Sequence, residues 1–327
     1  MSKSDKPSKP GLIQTGKERF ATERERTVER IDEARKRSGL VDALARAWEH
    51  DTAVGGGLMA CALAFRLFLF MVPFVLVVVT ALGESTRVAQ ASPSTLASKA
   101  GISGVLAKSV VSTGDMSHSG RLALLAVGSY ALFSTAKSLV TTLVASHCLI
   151  WRVPKPAMKK AKAALTFIAF ITITLASSAY LGKLRHAAPA PGFFLTLASI
   201  ALPLVAWWWA SYRLPHDDVP VWALLPGALI FAVGIEALHL FSVYYSGARA
   251  ASKSQTYGAA GIALMVLAWA YVAGRLVTFT ALVNATLWRR FAEREWPDGV
   301  RPEHPPKGPR SVSTLVDWIR SAVGLLR

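Results

Sequence analysis

Five ionisable side chains lie inside long apolar stretches of the sequence, where charge is unusual. They are Arg66, Lys137, Glu236, His239 and Arg275. An ionised group at the centre of a bilayer costs about 2.5–3.5 kcal/mol on insertion scales, so such residues usually face a bundle interior or a cavity. With the histidine neutral, three cations and one anion remain. This balance favours an anionic substrate group such as a phosphate or a carboxylate.

The same side chains allow other interpretations. An ion pair of Glu236 with Arg275 or with Arg66 would fix helix packing without binding any ligand. Glu236 and His239 are three residues apart and share one helical face, so a proton relay through them is a further alternative. Asn284 adds a polar group to the last apolar stretch, nine residues after Arg275. We predict that the five ionisable residues and Asn284 line an intramembrane cavity that binds substrate, with a buried ion-pair network as the alternative.

Six stretches are long and apolar enough to position these residues within a membrane. A bilayer core about 30 Å thick needs roughly 20 helical residues. The predicted spans are 58–82, 122–148, 164–182, 193–212, 222–245 and 258–288. They are apolar on every face, unlike membrane strands, in which apolar and polar residues alternate. The sequence therefore predicts an all-α, polytopic integral membrane protein with six transmembrane helices.

The distribution of basic residues predicts the orientation. If the N-terminus is cytoplasmic, the inside segments hold 26 of the 37 Lys and Arg residues and the outside segments hold 8. Basic residues concentrate in cytoplasmic loops, so both termini are predicted to be cytoplasmic. The net charge of +17 would also suit nucleic acid, but segment 1–57 holds 12 basic and 10 acidic residues. We therefore expect anionic membrane lipids, and no nucleic acid, as partners, and leave homo-oligomerisation open.

The charged and amphipathic segments that flank the spans divide the chain into three regions. Residues 1–54 form a charged N-terminal region, 55–290 the transmembrane domain, and 291–327 a tail with a Pro-rich linker. Helical patterns outside the spans are predicted at 17–37, 40–48, 96–107 and 311–326. Those in the terminal regions are expected to be flanking amphipathic helices.

Motifs of soluble enzymes do not occur in the sequence. It contains no GxSxG, HExxH or Walker pattern. Cys61 and Cys148 lie singly in apolar runs, and neither has a metal-binding spacing. We therefore predict a protein that is not an enzyme and that has no cofactor and no metal site.

Three segments carry a resemblance to a known family. They are 53–83 with its small residues and an aromatic residue, 225–236 with its Pro-Gly entry and Glu236, and 257–284, which runs from Tyr-Gly to Asn284. Together they resemble the BrkB/YihY family of bacterial inner-membrane proteins, closest to its YhjD-like actinobacterial subgroup. The resemblance covers about residues 40–290 and implies six spans, cytoplasmic termini and a role in transport or lipid handling at the cell envelope. It also implies an old ribonuclease label, which this sequence does not support, because it contains no carboxylate cluster or metal set.

Two functional hypotheses follow. The first is a transporter or flippase for an anionic lipid or a lipid-linked envelope precursor, with the predicted cavity as its binding site. The second is a non-transporting scaffold that recruits cytoplasmic partners through the predicted helices at 17–37 and 311–326.

Overall fold

The computed structural model describes residues 33, 39–88, 117–187, 192–241 and 247–295, and the regular structure within them is helical. The long elements are α1 (Gly39–Ala53), α2 (Gly56–Val88), α3 (His118–Trp151), α4 (Lys160–Ala187), α5 (Gly192–Arg213), α6 (Leu225–Phe241) and α7 (Gly247–Glu295). A short 3₁₀ helix, Val221–Leu224, leads into α6. The predicted run 40–48 falls within α1, whereas the helical patterns predicted at 17–37, 96–107 and 311–326 lie outside the described residues.

Five helical stretches in the described part are long and apolar enough to cross a membrane. They are Gly56–Leu82, His118–Trp151, Lys160–Leu181, Val221–His239 and Ala263–Glu293. The prediction of a polytopic all-α protein is thus confirmed. The other predicted span, 193–212, coincides with helix α5, which is not among the five. A count of six spans and their orientation stay predictions.

The helices follow one another around the bundle, and the last closes onto the first. α2 packs against α3 and α7. From α3 onward, each helix packs against the one that follows it, as far as the contact of α6 with α7. In the candidate span of α7, 44% of the residues are buried, against 6% in that of α4. α7 is therefore a central element of the bundle, and α4 lies at its periphery.

The interior of the bundle is filled by apolar side chains. Phe70 of α2 stacks on Phe74 and meets Phe167 of α4 edge-on, with ring centroids 5.5 Å apart in both pairs. A second cluster lies where α1, the start of α2, the end of α3, the 3₁₀ helix and the end of α7 come together, a region we call the α1 end. Ala47 of α1 and Trp288 of α7 are both buried there. Burial of Ala47 holds α1 against the bundle through its apolar face.

Candidate functional site

Arg275, one of the predicted site residues, forms an ion pair between α7 and α1. Its Nη1 and Nη2 donate hydrogen bonds of 2.9 Å to Oδ1 and Oδ2 of Asp51. The Asp51 side chain is 6% exposed and that of Arg275 is 25% exposed. The alternative predicted from the sequence was an ion pair of Glu236 with Arg275 or with Arg66, whereas the structure pairs Arg275 with Asp51. Asp51 lies just before the first span, outside the apolar stretches that supplied the predicted site residues.

Gly56, the first residue of α2, makes room for this ion pair. A Cβ atom on Gly56 would overlap the Asp51 carboxylate and lie 3.3 Å from Arg275 Nη1. The carboxylate therefore lies beside the first turn of α2, where the free N–H groups and the helix dipole favour a negative charge. Asp51 thus links α1, the start of α2 and the middle of α7.

Asn284, another predicted site residue, joins α7 to the start of α6. Its Oδ1 accepts a 2.7 Å hydrogen bond from the Gly227 N–H, and its Nδ2 donates one of 3.1 Å to the Leu224 carbonyl. First-turn N–H groups have no partner within their own helix, so Asn284 supplies one from α7. The residue is 2% exposed. Asn284 therefore contributes to helix packing.

The other four predicted residues make different contacts. The Lys137 ammonium lies 5.5 Å from the centre of the Phe133 ring, and Lys137 and Glu236 are half-buried. Arg66 and His239 are exposed. Within the described part of the chain, no hydrogen bond or ion pair joins any two of the six predicted residues. The structure therefore separates Arg275 and Asn284, which hold helices together, from the other four.

Arg66 is exposed and lies beside an exposed apolar face of α2. That face is formed by Leu58, Phe65 and Val72, which are seven residues apart and 79%, 53% and 60% exposed. Arg66 follows the first residue of α2 by ten positions, which places it about 15 Å along the helix. That distance is about half the thickness of a bilayer core. The guanidinium thus belongs to the middle of a candidate span, on a face that the described helices do not cover.

A second group of charged residues surrounds a cavity of about 270 Å³ at the α1 end. We call it the basic pocket. It is lined by Arg46, Glu49, His50, Ala53, Arg152, Thr286, Arg289, Arg290 and Glu293. The residues of this pocket come from three separate segments, so the sequence alone did not predict it. The sequence feature that could have indicated this pocket is the presence of basic residues directly after the second and last spans, namely Arg152 and Arg289-Arg290.

Arg289 and His50 form the inner contact of the basic pocket. Arg289 Nη2 donates to the Ile150 carbonyl at 2.7 Å, and Nη1 lies 3.2 Å from His50 Nε2. A guanidinium can only donate, so Nε2 is the unprotonated acceptor, and Nδ1 carries the hydrogen toward Thr286 Oγ1 at 3.5 Å. Burial, and then the charges of Arg289 and Arg152, lower the pKa of His50 to about 4. His50 is therefore neutral at neutral pH.

The other arginines of the basic pocket differ in their partners. Asp42 accepts from Arg290 at 2.8 Å and from Arg46 at 3.2 Å, so one carboxylate serves two guanidinium groups. Arg152 ends α3 in the left-handed conformation, with φ of 55°, and its side chain is exposed. Glycine is the usual residue in this conformation, because other residues meet steric cost there.

Comparisons with known proteins give one match. The family model described as virulence factor BrkB matches residues 45–304. No curated protein and no solved structure matches the chain. Among the described residues, no group of three or more His, Cys, Asp and Glu side chains is arranged to hold a metal ion.

Proposed function

Since the chain belongs to the BrkB family of membrane proteins, we propose that it moves an anionic lipid, or a lipid-linked envelope precursor, across the bacterial inner membrane. The proposal takes the chain to cross the membrane six times, with both termini and the α1 end on the cytoplasmic side. It requires no enzymatic step and no cofactor. The substrate is recognised by its charged headgroup.

The observation that carries the proposal is the position of Arg66. Packing accounts for Arg275, which pairs with Asp51, and for Asn284, which holds the start of α6. Arg66 forms no ion pair or hydrogen bond with the described residues. It is an exposed cation about 15 Å along α2, beside an apolar face. A charge at this depth costs about 2.5–3.5 kcal/mol, so its presence calls for a ligand of opposite charge.

The geometry of α2 suits a lipid better than a small solute. An anionic headgroup that leaves water loses its hydration, and a guanidinium replaces part of it through charge-assisted hydrogen bonds. The acyl chains would meanwhile stay in the bilayer, next to the exposed Leu58, Phe65 and Val72. Half-buried Lys137 provides a second cation within a candidate span, on α3.

The excess of basic residues supports an anionic substrate. In the proposed orientation, 26 of the 37 Lys and Arg residues lie on the cytoplasmic side. Each basic residue near the surface attracts anionic lipids by about 1 kcal/mol. Anionic lipids would therefore collect around the cytoplasmic ends of the spans.

Lipid movement tests the proposal in vesicles that contain the purified full-length chain. The vesicles hold phosphatidylcholine and a trace of fluorescent phosphatidylglycerol, and dithionite quenches only the outer leaflet. We expect the wild type to bring the label to the outer leaflet and Arg66→Gln to slow this by about tenfold or more, because a charge-assisted hydrogen bond is lost. Arg66→Lys should retain most of the rate.

Ile173→Ala is the matched control, because it alters an exposed apolar position on α4, away from Arg66, without removing a charge. It should leave the rate within about twofold of the wild type. Equal rates for the wild type and Arg66→Gln, with both proteins folded and inserted, would contradict the proposal. So would equal movement of a fluorescent lipid with no net negative charge, since the proposed recognition depends on that charge.

A further inference from the structure

We propose that the basic pocket at the α1 end binds a phosphate group. The phosphate belongs either to a lipid headgroup at the membrane surface or to a soluble phosphate compound. The pocket is distinct from the Arg66 face, and its ligand does not have to be the substrate that the bundle moves. The inference rests on four arginines that three separate segments bring to one cavity.

Two of the four arginines of the basic pocket are more buried than its carboxylates. Arg290 is buried and Arg289 is half-buried, whereas Glu49 and Glu293, the two acidic lining residues, are both exposed. His50 is neutral and adds no charge of its own. Arg46, Arg152, Arg289 and Arg290 therefore exceed the lining carboxylates by two. Outside the lining, Asp42 offsets part of this excess through Arg46 and Arg290, and the charge of Asp217 acts on Arg289.

Arg289 and Arg152 are the two groups best placed to bind an anion. The two hydrogen bonds of Arg289 go to neutral acceptors, the Ile150 carbonyl and His50 Nε2, so these bonds orient the guanidinium and leave its charge in place. Arg152 lies at the end of the same α3 helix that supplies Ile150. A guanidinium presents donors in a planar fork that matches two oxygens of a phosphate.

The backbone at Arg152 gives independent support. A left-handed conformation costs a non-glycine residue about 1–2 kcal/mol, and glycine would remove that cost. Arginine at this position gives the pocket a guanidinium despite the cost. A basic residue at a helix C-terminus also interacts favourably with the helix dipole, so the test below has to separate binding from stability.

The place and size of the basic pocket suit a phosphate at the membrane surface. Two candidate spans reach it, one ending at Trp151, next to Arg152, and the other ending at Glu293, within the lining. A volume of about 270 Å³ accommodates a phosphate group and several ordered waters, since a water occupies about 30 Å³.

Arg152→Gly provides a sharp test, because it removes the guanidinium and fits the left-handed backbone better than arginine does. The full chain is placed in phosphatidylcholine nanodiscs and titrated with sodium phosphate by calorimetry. In parallel, nanodiscs that also contain phosphatidic acid are analysed for retained lipid by native mass spectrometry. Arg289→Gln is the second variant, and thermal unfolding is recorded for each protein. Lys160→Gln, which removes an exposed cation outside the lining, is the matched control.

We expect the wild type to bind at least one probe and Arg152→Gly to bind it about tenfold or more weakly, with an unchanged or higher Tm. Lys160→Gln should stay within about twofold of the wild type. Binding of both probes identifies the phosphate group as the shared feature, and binding of one identifies its source as soluble or lipid. Failure of both probes to bind, or equal affinity of the wild type and Arg152→Gly, would overturn the inference. Neither result alters the lipid-movement test at Arg66, so the two proposals fail independently.

Discussion

Asp51 and Arg275 are separated by 224 residues in the sequence, and two hydrogen bonds of 2.9 Å join their side chains into one ion pair. The pair connects α1, which precedes the first span, to the central helix α7. It also fills the space above Gly56 at the start of α2. The first and last parts of the bundle are therefore held together by charge as well as by apolar packing.

Removal of one partner of this ion pair should destabilise the bundle. Asp51→Asn leaves the Arg275 guanidinium without its carboxylate, which costs about 3–5 kcal/mol in a fully buried pair. Because the Arg275 side chain is 25% exposed, we expect a smaller loss of about 2–3 kcal/mol after solvent screening. Thermal unfolding of the purified protein in detergent measures it.

The double variant Asp51→Asn/Arg275→Gln is the control for this pair. It removes both charges, so it should be more stable than the sum of the two single changes predicts. If the double variant loses as much free energy of unfolding as the two single variants together, the two side chains do not interact in the folded protein.

Close contact between α6 and α7 should make Gly227 intolerant of a side chain. A Cβ atom there would lie 2.5 Å from Asn284 Nδ2 and 2.6 Å from the Thr280 carbonyl oxygen. Gly227→Ala should therefore lower the free energy of unfolding by about 1–3 kcal/mol, through overpacking and loss of the Asn284 hydrogen bonds. Gly57→Ala is the matched control, since a Cβ at Gly57 meets nothing within 4 Å. Equal Tm values for the two variants would refute this account of the α6–α7 contact.

Neutral His50 should make the α1 end sensitive to acid. The folded state lowers the pKa of His50 from 6.5 to about 4, so folding favours the neutral ring. Its contribution to stability is complete above pH 6.5 and declines as the pH falls toward 4, because the unfolded chain takes up the proton first. We expect the Tm of the wild type to fall between pH 7 and pH 5, and His50→Gln to weaken this dependence.

A second histidine provides the control for this pH dependence. His239→Gln, at an exposed histidine of α6, is the control and should leave the pH dependence unchanged. If the wild type and His50→Gln lose stability in parallel, the neutral state of His50 is not coupled to folding.

The apolar stretches predicted the helical class well, because the need for about 20 apolar residues leaves few alternatives. The helix ends were harder to predict. α7 runs from Gly247 to Glu295, whereas its apolar stretch covers 258–288. Hydropathy detects the part of a helix inside a bilayer and is insensitive to polar turns that continue it. The resemblance to the BrkB family, based on three segments, is confirmed by the match over residues 45–304.

Side-chain partners were predicted less well, because they depend on how the helices pack. Nothing in the sequence around Asp51 indicates that α1 folds back to reach Arg275. Asn284 was predicted to face a cavity, and its hydrogen bonds to Gly227 and Leu224 became visible only once α6 and α7 were placed together. The basic pocket likewise depends on the meeting of α1, Arg152 and the end of α7.

The central claim is that Arg66 meets an anionic headgroup in the middle of the membrane. The most direct measurement is a cryo-electron microscopy map of the full chain in nanodiscs that contain phosphatidylglycerol. We expect headgroup density within about 3 Å of the Arg66 guanidinium, with acyl-chain density along Leu58, Phe65 and Val72. Acyl-chain density alone on this face, with Arg66 bound to a carboxylate of the same chain or of a second copy, would contradict it.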